Sequence, residues 1–285
     1  MRYEIENLLK SRFPGLLGEI TDPPKSLRYT GTLPEPTQKL LCVVGSRKHT
    51  EYGKEVCRSL IQGLAGYPIS IVSGLALGID SIAHKSALEH GIHTIAVPGS
   101  GLDPKVLYPR SHLVLAEQIV ENEGCLISEF DDDFVATQWS FPQRNRIMAG
   151  MSHAVLVIEA EEKSGTLITS KLATEYNRDV FAVPGSIFSK QSEGPHMLIR
   201  LGATPIRKSE DILEALGFSI EAKQTVLYIP ESEEEKILIT LLEIPMSRDD
   251  LIRESGLLIS IANSTLAVLE IKGIITESMG EIRLR

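Results

Sequence analysis

The sequence predicts an α/β fold, a doubly wound and mainly parallel sheet, followed by a small C-terminal winged-helix domain. Three observations carry this. Between residues 40 and 216, short apolar runs ending in small residues alternate with segments of helical spacing. The runs are apolar throughout, as strands covered on both faces are. From residue 231 the pattern changes to three helical segments and a hairpin.

Residues 1–39 begin with a short amphipathic stretch and become turn-rich. Pro14, Pro23, Pro24, Pro34 and Pro36 exclude long regular elements there, which leaves an ordered lead-in or a linker. LLCVVGS (40–46) reads as the first buried strand, with a helix over 50–65. ISIVSG (69–74) is the second strand, and 78–91 a helix closed by Gly91. Strands at 93–99 and 125–130 bracket a helix at 110–122. A short helix at 142–151 leads into the strand AVLVIEA (154–160), a helix at 166–177 and the strand DVFAVPG (179–185). A helix near 195–201, a strand at 203–206 and a helix at 209–216 complete a core domain of residues 40–217. The near-repeat of TIAVPGS (94–100) and VFAVPGS (180–186) is either a trace of duplication or two similar strand exits. Residues 218–231 read as a linker. The domain 232–285 holds helices at 233–242, 247–254 and 259–271, then a hairpin of 274–277 with 281–284 around Met279–Gly280.

Length and composition set limits. A chain of 285 residues, 42% hydrophobic and 24% charged, suits one large and one small domain with a sizeable core. The net charge of −9 argues against a protein that coats polyanions with its whole surface, while leaving room for a local basic pocket. Aromatic residues, at 5%, are too few for broad stacking platforms. Cys42, Cys57 and Cys125 lack CxxC spacing and read as reduced core thiols of a cytoplasmic protein. MRYEIENLLK has no apolar stretch of the signal-peptide kind, and no run of about 18 apolar residues occurs, so no membrane span is expected.

Right-handed crossovers bring the C-terminal ends of parallel strands to one edge, where open α/β sheets bind ligands. The small and polar residues fall at those ends. Gly45-Ser46-Arg47 follows the first strand, and Ser73-Gly74 the second. Lys163-Ser164-Gly165-Thr166 lies between a strand and a helix, where glycine admits a phosphate, hydroxyls donate and the helix dipole favours an anion. In FPQRNRIMAG (141–150), Arg144 and Arg146 flank Asn145 at a helix start, and Phe141 offers a base-stacking face. Their convergence would make a phosphate-binding pocket. The alternative is an Arg cluster paired structurally with Glu159, Glu161 and Glu162.

Other chemistry is disfavoured. GSGLDP (99–104) lacks the third glycine of a dinucleotide fingerprint and no GxxxxGK[ST] occurs, so no cofactor is expected. Ser152 stands between a helix and a strand, the reverse of a nucleophile elbow. His84, His90 and His93 have no carboxylate or thiolate at ligand spacing, and Asp131–Asp133 could recruit only Glu129 and Glu159. No catalytic residue or metal ligand is assigned.

These segments resemble the DprA/Smf family (DNA-processing protein A). The resemblance rests on VVGSR (43–47), SGLALGIDSIAHKSAL (73–88), TIAVPGSGLD (94–103) with YP (108–109), LISE (126–129), FPQRNRIMAGMS (141–152), VLVIEAEEKSGTLITSKLATEYNRDVFAVPG (155–185) and GPHMLIRLGA (194–203). FPGLLGEITDPPKSLRYTG matches the family's entry to its core, and the C-terminal piece resembles its winged-helix domain. The resemblance implies an extended Rossmann-like fold, single-stranded DNA binding, homodimerisation through the core, and delivery of the strand to the RecA recombinase in DNA uptake and natural transformation. It implies DNA contacts at Gly45, Ser46, Arg47, Ser73, Gly74, Phe141, Arg144, Asn145, Arg146, Ser164, Gly165 and Thr166. Two departures stand out. No counterpart of the helical N-terminal domain of many members is expected, and Gly194-Pro195-His196 replaces a common Gly-Cys-Asn.

Residues 231–285 hold eleven acidic and six basic residues, −5 of the chain's −9, and the segment ISIANSTLAVLEIKG is nearly uncharged. A winged helix that reads DNA usually presents a basic helix, so this domain is expected to contact protein or cap the core. The competing function is a nucleotide-processing enzyme of the phosphoribohydrolase type. Its PGGxGTxxE motif is only half met: Glu162-Lys163 replace the paired glycines, and Thr169 stands where the glutamate belongs. A scaffold role is the third reading. Arg144→Ala and Arg146→Ala are expected to weaken strand binding without unfolding the chain.

Overall fold

The computed structural model describes residues 4–13, 15–219, 230–242, 244–278 and 280–284. The chain forms two compact units, Met1–Ile220 and Glu221–Arg285. The first unit runs β1 (Glu6–Leu8), β2 (Leu27–Gly31), β3 (Lys39–Val44), α1 (Glu51–Gln62), β4 (Ile69–Ser73), α2 (Ile79–Glu89), β5 (Thr94–Ala96), α3 (Leu113–Glu121) and β6 (Cys125–Ser128). It continues with α4 (Ser140–Met151), β7 (Ala154–Val157), α5 (Thr166–Glu175), β8 (Asp179–Ala182), α6 (Glu193–Arg200), β9 (Thr204–Pro205) and α7 (Ser209–Ala215).

These strands make one sheet in the order β1-β2-β6-β5-β4-β3-β7-β8-β9. Every pairing from β6 to β9 is parallel. The two-residue period of a strand sorts its side chains to opposite faces. Leu40, Cys42 and Val44 of β3 pack with α4 (Ile147, Met148, Met151) and α5 (Ala173). Leu41 and Val43 pack with α1 (Leu60, Ile61), α2 (Ile79, Ala83) and α7 (Ile212, Leu213). Both faces are therefore dry, which is why the runs are apolar rather than alternating. α1 starts where the Thr50 hydroxyl accepts from Gly53 N–H, a cap contributing about 1 kcal/mol. Pro195 sits in the first turn of α6, where a missing N–H leaves no helix bond unmade.

The lead-in belongs to this sheet. β2 pairs antiparallel with β6, and β1 antiparallel with β2. The prolines limit these strands to three and five residues but do not prevent them. Leu8, Leu17 and Leu27 are buried, and Arg178 donates to the Leu16 and Gly150 carbonyls at 2.8 and 3.3 Å, tying the lead-in to α4. The parallel strands end earlier than the apolar runs: β5 stops at Ala96, so Gly99 lies beyond the ladder.

The second unit has α8 (Glu233–Leu241), α9 (Arg248–Ser255), α10 (Ile259–Ile271), and the antiparallel hairpin of β10 (Ile275–Ser278) and β11 (Glu281–Leu284). Leu238, Leu251, Leu266, Leu269 and Ile282 form its core. Ser232 and Ser247 cap α8 and α9 by accepting from Glu235 and Asp250 N–H. Three helices and a wing in this order make a winged-helix arrangement. Residues 220–229 of the expected linker, and Met279 of the expected hairpin turn, lie outside the described residues. Among the described residues no helix is long and apolar enough to cross a membrane.

Candidate functional site

The strand order reverses between β3 and β7, where the connections leave the sheet in opposite directions. Such a reversal opens a crevice at the strand C-terminal ends. Here the two exits meet, with the Thr166 hydroxyl donating to the Gly45 carbonyl at 3.1 Å. They line a cleft of about 450 Å³ together with the start of α4. From the β3 exit come Gly45, Ser46, Arg47 and Lys48; from α4 come Phe141, Arg144 and Asn145; from the β7 exit come Ser164, Gly165 and Thr166.

Arg47 is exposed, its guanidinium 5.5 Å from the Phe141 ring centroid. It forms no ion pair among the described residues, although its field reaches the buried Asp80. The Ser46 hydroxyl accepts from Lys48 N–H at 3.0 Å, and the Ser164 hydroxyl from Thr166 N–H at 3.2 Å, so each hydroxyl shapes its own loop. The N–H groups of Arg47 and Gly165 have no partner among the described residues. Gly165 leads directly into α5, whose dipole adds positive potential to that end of the cleft. Lys163 is exposed on the same loop, outside the cleft lining.

Arg144 is buried, with 5% of its surface exposed. Its Nη1 donates to the Gly74 carbonyl at 2.5 Å and to the Val97 carbonyl, and its Nε to Asn145 Oδ1 at 3.2 Å. A Cβ on Gly74 would stand 2.5 Å from Nη1, so glycine is what admits the guanidinium. Burial lowers the Arg144 pKa to about 10, opposed by the field of Asp80. Asp80, also buried, accepts from Gly74 and Ala76 N–H at 3.1 and 3.4 Å. Burial raises its pKa, against the pull of Arg144. This buried pair clamps the exits of β4 and β5, and Arg144 lines the cleft wall there.

Besides Lys163, two predicted residues are elsewhere. Arg146 pairs with Glu129 and donates to the Asp22 carbonyl at 2.5 Å, joining α4 to β6 and the lead-in. Its neighbour Arg144, on another face of the helix, reaches the cleft instead. The Ser73 hydroxyl is fully buried and donates to the Val43 carbonyl at 2.7 Å, fastening β4 to β3. Gly74 lines a shallow notch beside the cleft. The structural alternative of pairing with Glu159, Glu161 and Glu162 also gives way, since the partners of Arg146 are Glu129 and Asp22.

Carboxylates around the site are occupied. Glu159 accepts from the Thr50 N–H and hydroxyl at 2.9 and 2.5 Å. Glu129 accepts from Arg146 and, at 3.0 Å, from Gln143. Glu161 accepts from Gln191 at 3.0 Å. Thr169 is buried at the cleft wall. The buried His84 bonds Thr94 Oγ1 at 2.8 Å, and burial pushes its pKa down to about 3, so it stays neutral. No group of three metal-capable side chains occurs among the described residues.

Sequence reasoning missed the aromatic grouping. Tyr108 packs on Phe141 with centroids 5.4 Å apart. Trp139, at the start of α4, meets Phe130 and Phe134 edge-on. The aromatic content is low, but the fold concentrates five of these rings along the β5–β6 end of one edge. Phe130, Phe134 and Trp139 share the connection between β6 and α4, while Tyr108 comes from the one between β5 and α3, where the YP dipeptide at 108–109 offered a signal.

The family model for "DNA recombination-mediator protein A" matches residues 5–217, and that for "DprA winged helix domain" matches residues 221–281. Protein Smf of Escherichia coli is 42% identical over 226 residues, 78% of this chain; the chain spans only 60% of that protein's length. The DNA processing protein DprA of Streptococcus pneumoniae is 42% identical over 74% of each chain. The X-ray structure of the Streptococcus pneumoniae protein superposes with a TM-score of 0.69 at 40% identity, over 76% of this chain and 75% of that one. DNA processing protein A from Helicobacter pylori, whose structure was described for its single-stranded DNA binding mode, gives a TM-score of 0.67 at 30% identity, over 75% of this chain and 96% of that one.

Proposed function

The chain belongs to the DNA recombination-mediator protein A family, and from that premise we propose that it binds single-stranded DNA in the β3–β7 cleft. In this reading it protects incoming strands and loads the RecA recombinase on them during DNA uptake and natural transformation. It acts in the cytoplasm as a homodimer through the α/β unit, without a cofactor and without catalysing a reaction. The carrying observation is the meeting, across one cleft, of an exposed Arg47 that forms no ion pair among the described residues with the bare N–H of Gly165 and the start of α5. Phosphates need such cations and amides. The enzyme alternative is weakened because Thr169 occupies the place of the required glutamate and the nearby carboxylates are engaged.

The test is fluorescence anisotropy with labelled oligo-dT and a duplex at several salt concentrations. Tighter binding of the single strand, weakening as salt rises by about 0.7 log units per log unit for each neutralised phosphate, is expected. Equal affinity for duplex, or no binding, would overturn the reading. Release of free base from a nucleotide would restore the enzyme alternative.

A further inference from the structure

Phe141 is the ring the sequence offers for base stacking, yet its surroundings make it a support. The Arg47 guanidinium lies over it at 5.5 Å, Tyr108 leans on it at 54°, and its edge fits against Gly99, where a Cβ would come within 2.6 Å. Tyr108 is the ring left open. It is 45% exposed, and its hydroxyl has no partner among the described residues. Its own loop is anchored, since Tyr108 N–H donates to the Ser100 hydroxyl at 3.1 Å and Ser128 holds the Ser100 carbonyl at 2.7 Å. Beside it lies the notch lined by Arg47, Gly74, Leu77, Phe141 and Arg144, with Leu77 48% exposed. No carboxylate lines this notch. At about 20 Å³ it is too shallow to enclose a base, so the usable feature is the open face of Tyr108.

We propose that Tyr108, backed by Phe141, is a nucleobase-stacking position that takes a base of the strand whose phosphates occupy the adjoining cleft. This rests on the single-stranded DNA reading above. A flat apolar ring next to guanidinium groups suits a π-face flanked by phosphates, and stacking of this kind tolerates any base. Arg47 lines both cleft and notch, so it joins the phosphate half of the site to the base half.

The test compares the full-length chain with Tyr108→Leu and Tyr108→Phe by anisotropy, using oligo-dT and an abasic strand of equal length. Wild type should bind oligo-dT more tightly than the abasic strand. Tyr108→Leu should weaken oligo-dT binding roughly 5- to 150-fold and leave the abasic strand unchanged, while Tyr108→Phe keeps most of the affinity. A fluorescent purine analogue in the strand should be quenched by wild type, which checks the stack even if Tyr108→Leu folds poorly. Equal losses on both strands, no loss, or no quenching by a wild type that binds would overturn the stacking assignment alone. A wild type that binds neither strand would remove the single-stranded DNA reading and this inference together.

Discussion

Arg47→Ala isolates the electrostatic half of the site. The side chain is exposed, forms no ion pair among the described residues, lies over the Phe141 ring and extends its field to the buried Asp80. The fold therefore loses at most an exposed cation–π contact, about 0.5–1 kcal/mol. For a unit of this size that lowers Tm by roughly 1–4 °C. Binding loses more. A charge-assisted hydrogen bond to phosphate contributes about 1.5–3 kcal/mol, or roughly 10- to 150-fold in Kd. The salt slope should flatten by about 0.7, the share of one phosphate on a single strand. Anisotropy titrations of labelled oligo-dT at four or more salt concentrations measure both quantities, and thermal unfolding followed by the lone Trp139 gives the stability. Arg47→Lys keeps the charge but loses the planar contact with Phe141, so it should retain the slope with intermediate affinity. If Arg47→Ala reduces affinity equally at all salts, or leaves it unchanged, Arg47 does not contact phosphate.

Arg144→Ala should behave in the opposite way, lowering stability by about 3–5 kcal/mol because buried carbonyls of Gly74 and Val97 lose their donor and Asp80 its neighbouring cation; a denaturant titration showing under about 1 kcal/mol would refute the clamp. Gly165→Ala meets open space at a backbone φ of −60°, so stability should change by less than about 1 kcal/mol, and any fall in oligo-dT affinity by anisotropy measures how closely the strand approaches that loop. His84 should show no NMR titration above about pH 5; the unfolded chain takes its proton near 6.5 and the folded chain refuses it until about 3, so acidification through that window costs up to about 1.4 kcal/mol per pH unit. A fragment of residues 230–285 should bind oligonucleotides weakly: Leu258, Ile259 and Ile271 are 70%, 70% and 87% exposed around α10, and Lys272 is engaged by Glu231 and Glu235. Tight, salt-sensitive binding would contradict this.

The parallel sheet was legible because burial on both faces leaves no polar positions in a strand, as in LLCVV and AVLV. Helix order and the cleft-forming exits followed from the right-handed crossover. β1 and β2 were obscured by the prolines around them, because propensity describes a segment and not the sheet edge waiting to receive it. Ser73 and Arg146 show a second limit. Sequence places a polar residue at a strand exit or helix start, but only three-dimensional neighbours decide its direction. Ser73 turns to the Val43 carbonyl, and Glu129 captures Arg146. Tyr108 shows the converse, a loop residue whose value comes from Phe141, more than thirty positions away along the chain and 5.4 Å away in space.

A chain of net charge −9 can hold a polyanion because the range of its charges is short. At physiological salt the Debye length is about 8 Å, so exposed acids far from the cleft contribute little once a strand is seated. Those close by matter more, and three have their charge directed elsewhere: Glu159 into the Thr50 cap, Glu129 into Arg146, Asp80 into peptide amides and the field of Arg144, while the exposed Glu161 keeps its charge at the cleft wall. The acidic body still repels a strand at long range and low salt. Rising salt therefore relieves that repulsion while weakening the phosphate contacts, and the two effects oppose each other in the association rate but not in the dissociation rate. The local cleft governs how long a strand stays, and the whole chain governs how fast it arrives.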